Sequence, residues 1–570
     1  MKNENKKQTF MINVSIILFA QIAVKILGMV YRMVITNIGG FGDTGNGYYN
    51  SGFQVYTLLL AISSVGIPNA ISKMTSERNA IGDYKGAHKI FKSALTLFSI
   101  IGVIGSGLLF FGADLIANAI LKIDKTKYVL MALSPSIFFV CVSSVIRGYF
   151  VGMNDMKATS NSQILEQFFK CLLTILIVYV MAGMTIFPND PDSKAAALAT
   201  GANFATSLAT VFSCLYLLLF YRHRKKEIWK KVKTSYGPTL DKPVSQMWKS
   251  ILLISIPISL GAIISAVNRI VDTATITRGI ETAFSAMIPA FGNTPAVMSP
   301  TLQQLEEEAV RLAGLLSKSD TLINLPIAMN IAFSTVLVPA ISGALAKGDK
   351  AEAAGKVSYS LLISILLILP CAVGYIVLAE PIYHILYPNA RLGFDLLQIS
   401  SVALIFIALN QTISGSLQGL GKIYAPATGL LMGCIAKFIL NVILIRQPAI
   451  NIYGAPISSV VCQIISFSYG FTVLSRQISV KITLKKYVVK PLIASVAMGI
   501  VAFGVYKLLM TALPVGFIGN LLATAVAIIL AAFVYFIIVF ACRLLNREEI
   551  EMLPAGQRIF RLLQRFGVYK

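Results

Sequence analysis

The sequence predicts an all-α membrane protein of about fourteen transmembrane helices. They form two six-helix lobes that repeat in parallel, followed by two extra C-terminal helices. Three observations carry this. Of 570 residues, 56% are hydrophobic and only 13% are charged, where a soluble domain averages roughly 25% charged. Apolar stretches of bilayer-crossing length recur along the whole chain. The loops between them alternate in Lys and Arg content.

A span needs about 20 apolar residues. Fourteen stretches qualify, near 10–36, 51–75, 91–113, 128–152, 160–187, 195–221, 248–277, 319–345, 355–379, 393–418, 424–446, 453–475, 488–510 and 517–543. The opening "MKNENKK" leads into an apolar run too long for a signal-peptide core and lacking a small-residue cleavage pattern, so it reads as a retained first span.

The net charge of +24 is concentrated in loops. Lys2, Lys6 and Lys7 precede span 1. Lys73, Arg78, Lys85, Lys89 and Lys92 follow span 2. Nine Lys/Arg against two acids lie between 222 and 249. Lys347, Lys350 and Lys356 follow span 8, and Arg476, Lys481, Lys485, Lys486 and Lys490 follow span 12. Arg543, Arg547, Arg558, Arg561, Arg565 and Lys570 mark the tail. With fourteen spans all fall on one side, which the positive-inside rule makes cytoplasmic, together with both termini. The charge therefore implies no nucleic-acid partner. The partner expected from the composition is the lipid bilayer of a bacterial plasma membrane.

Domain boundaries follow. Residues 1–221 form a first lobe, 222–247 a basic cytoplasmic linker, and 248–475 a second lobe with an extracytoplasmic insertion at 278–318. Two further spans occupy 476–543. In the tail, 544–570, Arg alternates with Leu, Ile and Phe, which suits either an amphipathic helix on an anionic leaflet or an ordinary positive-inside tail. The lobes are suggested by an internal repeat. At an offset of 267, Gly148, Gly152 and Lys170 match Gly415, Gly419 and Lys437. "GDYKGA" (82–87) echoes "GDKAEA" (348–353), and Arg32 falls opposite Arg269 at an offset of 237. Parallel repeats of this kind place a substrate site between the lobes near the midplane, with alternating access as the mechanism.

The seven cysteines (141, 171, 214, 371, 434, 462 and 542) sit in apolar segments without metal-binding spacing. With three His and no catalytic motif, the sequence indicates neither an enzyme nor a resident cofactor.

Charges inside spans are costly, about 2.5–3.5 kcal/mol each on the most lenient scale. Lys25, Gly28 and Arg32 are spaced i, i+3, i+7 and share one helix face, so they should meet a wet cavity, with snorkelling as the alternative. Arg147 ends span 4, either in that cavity or as an anchor. Glu166 and Lys170 are i, i+4 and can neutralise one another. Arg269 and Asp272 are i, i+3, either a structural ion pair or a substrate contact beside a polar coupling group. Asn410, Gln418 and Asn441 are cavity polars or interhelical glue. Basic residues (Lys25, Arg32, Arg147, Lys170, Arg269, Lys437) outnumber acids, so the cavity should take an anion, and Arg forks suit phosphate. A lipid-linked pyrophosphate saccharide fits a cationic cavity beside apolar helices. With the interior negative, each exported negative charge gains about 2.3 kcal/mol per 100 mV. No GxxxxGK[ST] loop for ATP is present.

"GIPNAISKMTSE" (66–77), "RGYFVGMNDM" (147–156), "AEPIYHILYP" (379–388) and "GSLQGLGK" (415–422) resemble the polysaccharide-flippase branch of the multidrug/oligosaccharidyl-lipid/polysaccharide exporter superfamily. Within it, the resemblance is to the stage V sporulation protein B and YtgP-like group, related to the lipid II flippase MurJ. The resemblance implies a V-shaped cavity between two lobes and outward flipping of an undecaprenyl-pyrophosphate-linked wall precursor by a monomer. It places Lys25, Arg32 and Arg269 on the cavity wall and makes Asp272 a candidate sodium ligand for Na+ coupling. A family arginine at the start of the second helix has no match in "GYYNSGFQVY" (47–56). The rival readings are a cation-coupled drug antiporter of the same superfamily and a non-transporting protein of wall or spore assembly.

Overall fold

The computed structural model describes residues 23–551 other than 62, 64–65, 154, 185–189, 237–242, 288–301, 347–348, 481 and 515, together with 560, 561 and 564. Lys2, Lys6, Lys7, the start of span 1, the centre of the 278–318 insertion, Lys347, Lys481 and most of the tail, including Arg558, Arg565 and Lys570, lie outside the described residues.

The described chain is helical, without a strand. Its helices are α1 (23–36), α2 (Gly42–Ala61), α3 (Ile67–Ala80), α4 (Tyr84–Phe111), α5 (Ala113–Leu115), α6 (Thr126–Gly152), α7 (Lys157–Gly183), α8 (Pro191–Lys233) and α9 (Val244–Met287). They continue with α10 (Leu302–Ala346), α11 (Lys350–Leu386), α12 (Phe394–Gly419), α13 (Tyr424–Leu444), α14 (Gly454–Gln477), α15 (Lys490–Ala512), α16 (Phe517–Ala541) and α17 (Arg547–Glu551). Among the described residues, ten helical segments are long and apolar enough to cross a membrane, and the bent pair Val244–Ile256 and Ile258–Ile280 raises this to eleven. Each of the fourteen apolar stretches includes described helical residues, although fewer than fourteen meet that criterion.

Span 2 is expected as one helix over 51–75. α2 ends at Ala61 and α3 begins at Ile67, and the described residues between them, Ser63 and Gly66, have π-helical geometry. Pro68 lies in the first turn of α3, where its missing N–H is best tolerated.

The basic linker departs too. α8 runs for 43 residues to Lys233, about 65 Å at 1.5 Å per residue. The stretch from Arg222 to Lys233 is therefore a rigid extension of a span. Lys and Arg are good helix formers, and Glu227 pairs with Arg224 and Lys231 one turn away on either side.

By packing, the chain divides into two units, Met1–Lys318 with Phe438–Ala455, and Ser319–Lys437 with Pro456–Lys570. In the first, α6 is the central helix, packed by α2, α3, α4 and α8, while α9 lies on α2 and α3. In the second, α11 packs with α12, α15 and α16. The "GD" echo has a physical counterpart: Asp83 caps α4 by accepting from Gly86 N at 2.7 Å, and Asp349 caps α11 by accepting from Glu352 N at 2.8 Å. The flanks of the 278–318 insertion are helical, formed by the end of α9 and the start of α10.

Candidate functional site

Lys25 and Arg32 are two turns apart on α1, which packs beside α7 at Gly28. Lys25 lies within electrostatic reach of Arg269 on α9 and Lys170 on α7. Lys25 and Arg269 are exposed, Arg32 is half-buried and Lys170 is buried. Lys170 holds its ammonium 4.3 Å from the Phe53 ring centre and 5.6 Å from that of Tyr31. Arg32 stacks its guanidinium 4.6 Å above Tyr49 and donates to Ser317 Oγ at 2.9 Å. The Tyr31 and Tyr49 hydroxyls share a hydrogen bond of 3.0 Å. Lys25, Arg32 and Lys170 from α1 and α7 thus gather near a tyrosine pair, with Arg269 of α9 within reach of Lys25. No carboxylate lies at ion-pair distance from Lys25 or Lys170 among the described residues. Ring faces stabilise cations by about 0.5–2 kcal/mol, more when water is excluded, which offsets part of the cost of crowding like charges.

Arg147 is elsewhere and differently held. Its Nε donates to Ser162 Oγ at 2.9 Å, and its Nη2 to Ser213 Oγ at 2.8 Å and to Glu166 Oε2 at 2.7 Å. Glu166 therefore pairs with Arg147 on the neighbouring helix, although the i, i+4 spacing suggested Lys170. Lys170 has turned towards the rings. Asp272 and Asn441, far apart in sequence, meet: Asn441 Nδ2 donates to Asp272 Oδ1 at 3.0 Å and to Thr275 Oγ1 at 2.9 Å. Asn410 donates to the side chain and carbonyl of Gln463, bridging α12 to α14. Gln418 is exposed on α12, and Lys437 is buried on α13.

Sequence reasoning missed the aromatic wall of Tyr31, Tyr49 and Phe53. It also missed Lys318, whose Nζ lies 2.6 Å from Asp43 Oδ1 with the lysine side chain 1% exposed. Around that pair the start of α10 crosses α2 with almost no gap. A Cβ on Gly47 would fall 2.0 Å from the Val310 carbonyl oxygen, and one on Gly314 would fall 1.8 Å from that of Asp43. The recurrent glycines of "GDTGNGYYNSG" (42–52) were the available signal.

Comparison with known proteins gives a consistent picture. Residues 311–545 match the family model described as lipid II flippase MurJ. The chain is 27% identical over 494 residues to the lipid II flippase MurJ of Bacillus subtilis (strain 168), covering 84% of each. It is 25% identical over 564 residues to stage V sporulation protein B of the same organism, covering 97% of this chain and 99% of that protein. Among solved structures, lipid II flippase MurJ in an inward closed conformation shares the fold at a TM-score of 0.64 and 16% identity, covering 92% of this chain and 98% of that one. An inward-facing MATE multidrug transporter of the MOP superfamily does so at 0.62 and 14% identity, covering 81% and 98%. The apolar helices and these relatives make the chain a multi-pass membrane protein of transporter fold. The model for polysaccharide biosynthesis proteins matches residues 10–345, more than half of the chain, and the protein belongs to that family.

Proposed function

We propose that the protein is a monomeric flippase of a bacterial plasma membrane, with both termini cytoplasmic. It carries an undecaprenyl-pyrophosphate-linked cell-wall precursor, lipid II or a related lipid-linked saccharide, from the inner to the outer leaflet. The observation that carries this reading is the gathering of Lys25, Arg32 and Lys170 near a tyrosine pair, with Arg269 within reach of Lys25. A pyrophosphate presents several anionic oxygens, which suit one ammonium and two guanidinium forks. Tyr31, Tyr49 and Phe53 keep Lys170 in place and dry, so its field reaches the headgroup with little screening. Alternating access between two lobes would then expose the headgroup to either side in turn. A headgroup of about two negative charges would gain roughly twice 2.3 kcal/mol per 100 mV on moving outward. A multidrug antiporter of the same fold would call for a carboxylate-dominated cavity, which this cluster is not.

Asp272 fits a sodium-coupling role. Hard oxygens suit a hard cation, and beside Asp272 and Thr275 the buried Asn441 Oδ1 has no hydrogen-bond partner. Lys437, Arg147, Asn410 and Gln418 contribute through packing or at other stages of the cycle.

The test is reconstitution with a labelled lipid-linked precursor, scoring its appearance in the outer leaflet with and without an imposed potential. Lys25→Ala, Arg32→Ala and Arg269→Ala should each slow transfer severely. Unchanged transfer in all three would sink the assignment.

A further inference from the structure

A second cationic site lies within the other packing unit, apart from every residue of the transport cluster. The first turns of α11, the end of α14 and α17 enclose a cavity of about 730 Å³. Lys350 and Arg476 face it, with Ser358, Tyr359, Ser475 and Glu549 among its walls. Neither Lys350 nor Arg476 forms an ion pair among the described residues. Glu549, the one carboxylate among the described residues of the wall, is already engaged: Lys486 Nζ lies 2.7 Å from its Oε1, and the Asn546 amide donates to its Oε2 at 2.7 Å. Tyr359 donates to the Glu549 carbonyl at 3.0 Å, which ties α17 to α11 as one wall. Among the described residues, the cavity thus presents two cations without an ion pair and several hydroxyls, and its carboxylate is already paired. Lys350 opens α11 and Arg476 closes α14, both at helix ends that the Lys/Arg distribution makes cytoplasmic.

We propose that this cavity binds a phosphate- or diphosphate-bearing anion between Lys350 and Arg476, on the cytoplasmic face and separate from the transport pathway. Charge-assisted hydrogen bonds from an ammonium and a guanidinium are the strong contacts of such a site, and the serine and tyrosine hydroxyls can donate to the remaining oxygens. The chemistry is shared by two sources, an anionic lipid headgroup at the inner leaflet and a soluble phosphorylated metabolite.

The test uses the full chain in nanodiscs carrying Lys25→Ala and Arg269→Ala, so that the transport cluster does not compete. One arm titrates inorganic pyrophosphate calorimetrically in phosphatidylcholine discs. The other counts retained phosphatidic acid by native mass spectrometry. Adding Lys350→Ala with Arg476→Ala should weaken binding in at least one arm by about tenfold or more, the scale of a lost charge-assisted pair. Lys350→Arg with Arg476→Lys should retain binding. Loss in the pyrophosphate arm marks a soluble ligand, and loss confined to the lipid arm marks a headgroup. Equal binding by the alanine variant in both arms overturns the proposal. So does an equal loss in the charge-preserving variant, which would show that packing alone was disturbed.

Discussion

Two buried basic residues of one packing unit, Arg147 and Lys170, are treated in opposite ways. Arg147 is enclosed by a carboxylate and two serine hydroxyls, so all of its charge is answered within the protein. Lys170 is equally buried but is met by ring faces and by other cations within reach. An arginine matched by an acid is part of the scaffold. A buried lysine met by aromatic rings, with no carboxylate at ion-pair distance among the described residues, keeps its charge. The difference teaches that burial of a charge in a membrane helix is not by itself a sign of function. What matters is what the fold supplies to balance it.

The sharpest way to break this comparison is charge reversal. Lys25→Glu should abolish precursor transfer in the reconstituted assay while leaving thermal unfolding in detergent unchanged. A variant that transfers normally would remove the functional half of the contrast. Arg147→Ala should do the reverse, costing about 1–3 kcal/mol because the half-buried Glu166 and the buried Ser162 and Ser213 hydroxyls lose their partner. Replacing both, with Arg147→Met and Glu166→Leu, should recover most of that loss in denaturant titrations. If the double variant is as unstable as the single one, Arg147 is not balanced in the way described. Gly314→Ala should cost about 1–3 kcal/mol through overpacking against the Asp43 carbonyl, read as a lower unfolding midpoint. The smallest effect belongs to Asp190, which caps α8 by accepting from the Ser193 amide at 3.0 Å. Asp190→Ala should cost about 1 kcal/mol and leave transfer intact. The Ser193 hydroxyl and amide hold the Asp190 carboxyl below the usual carboxylate range. Its stabilisation should therefore be present above the unfolded value near 4 and fade as pH falls through the lower folded value. A melting series across that window checks the sign.

Much of this was legible in the sequence. Hydropathy located the apolar helices because the bilayer requires an apolar length that few other structures need, but it passed over the polar extension of α8 and the helical flanks of the 278–318 insertion. The i, i+3, i+7 stripe brought out Lys25 and Arg32, and the repeat brought out Lys170 and Arg269. The π-helical geometry at Ser63 and Gly66 was hidden because averaging over a window blurs a single Pro68. The true partner of Glu166 was hidden because helical spacing reports neighbours on one helix, while Arg147 comes from another. Tyr31, Tyr49 and Phe53 were unread because an aromatic residue in an apolar span is ordinary core until a cation is seen above it. The meeting of Asp272 with Asn441 joins residues 169 apart, a distance at which a single sequence carries no pairing signal.

The crossing of α2 and α10 at Gly47 and Gly314 has its own consequence. Side chains can swing aside and let an opening widen by degrees, but two backbones pressed together leave nothing to swing. Separating them means moving whole helices and exposing the Asp43–Lys318 bond in the same stroke. Passage at that point would behave as a latch with a threshold, shut until enough force is gathered and then released at once.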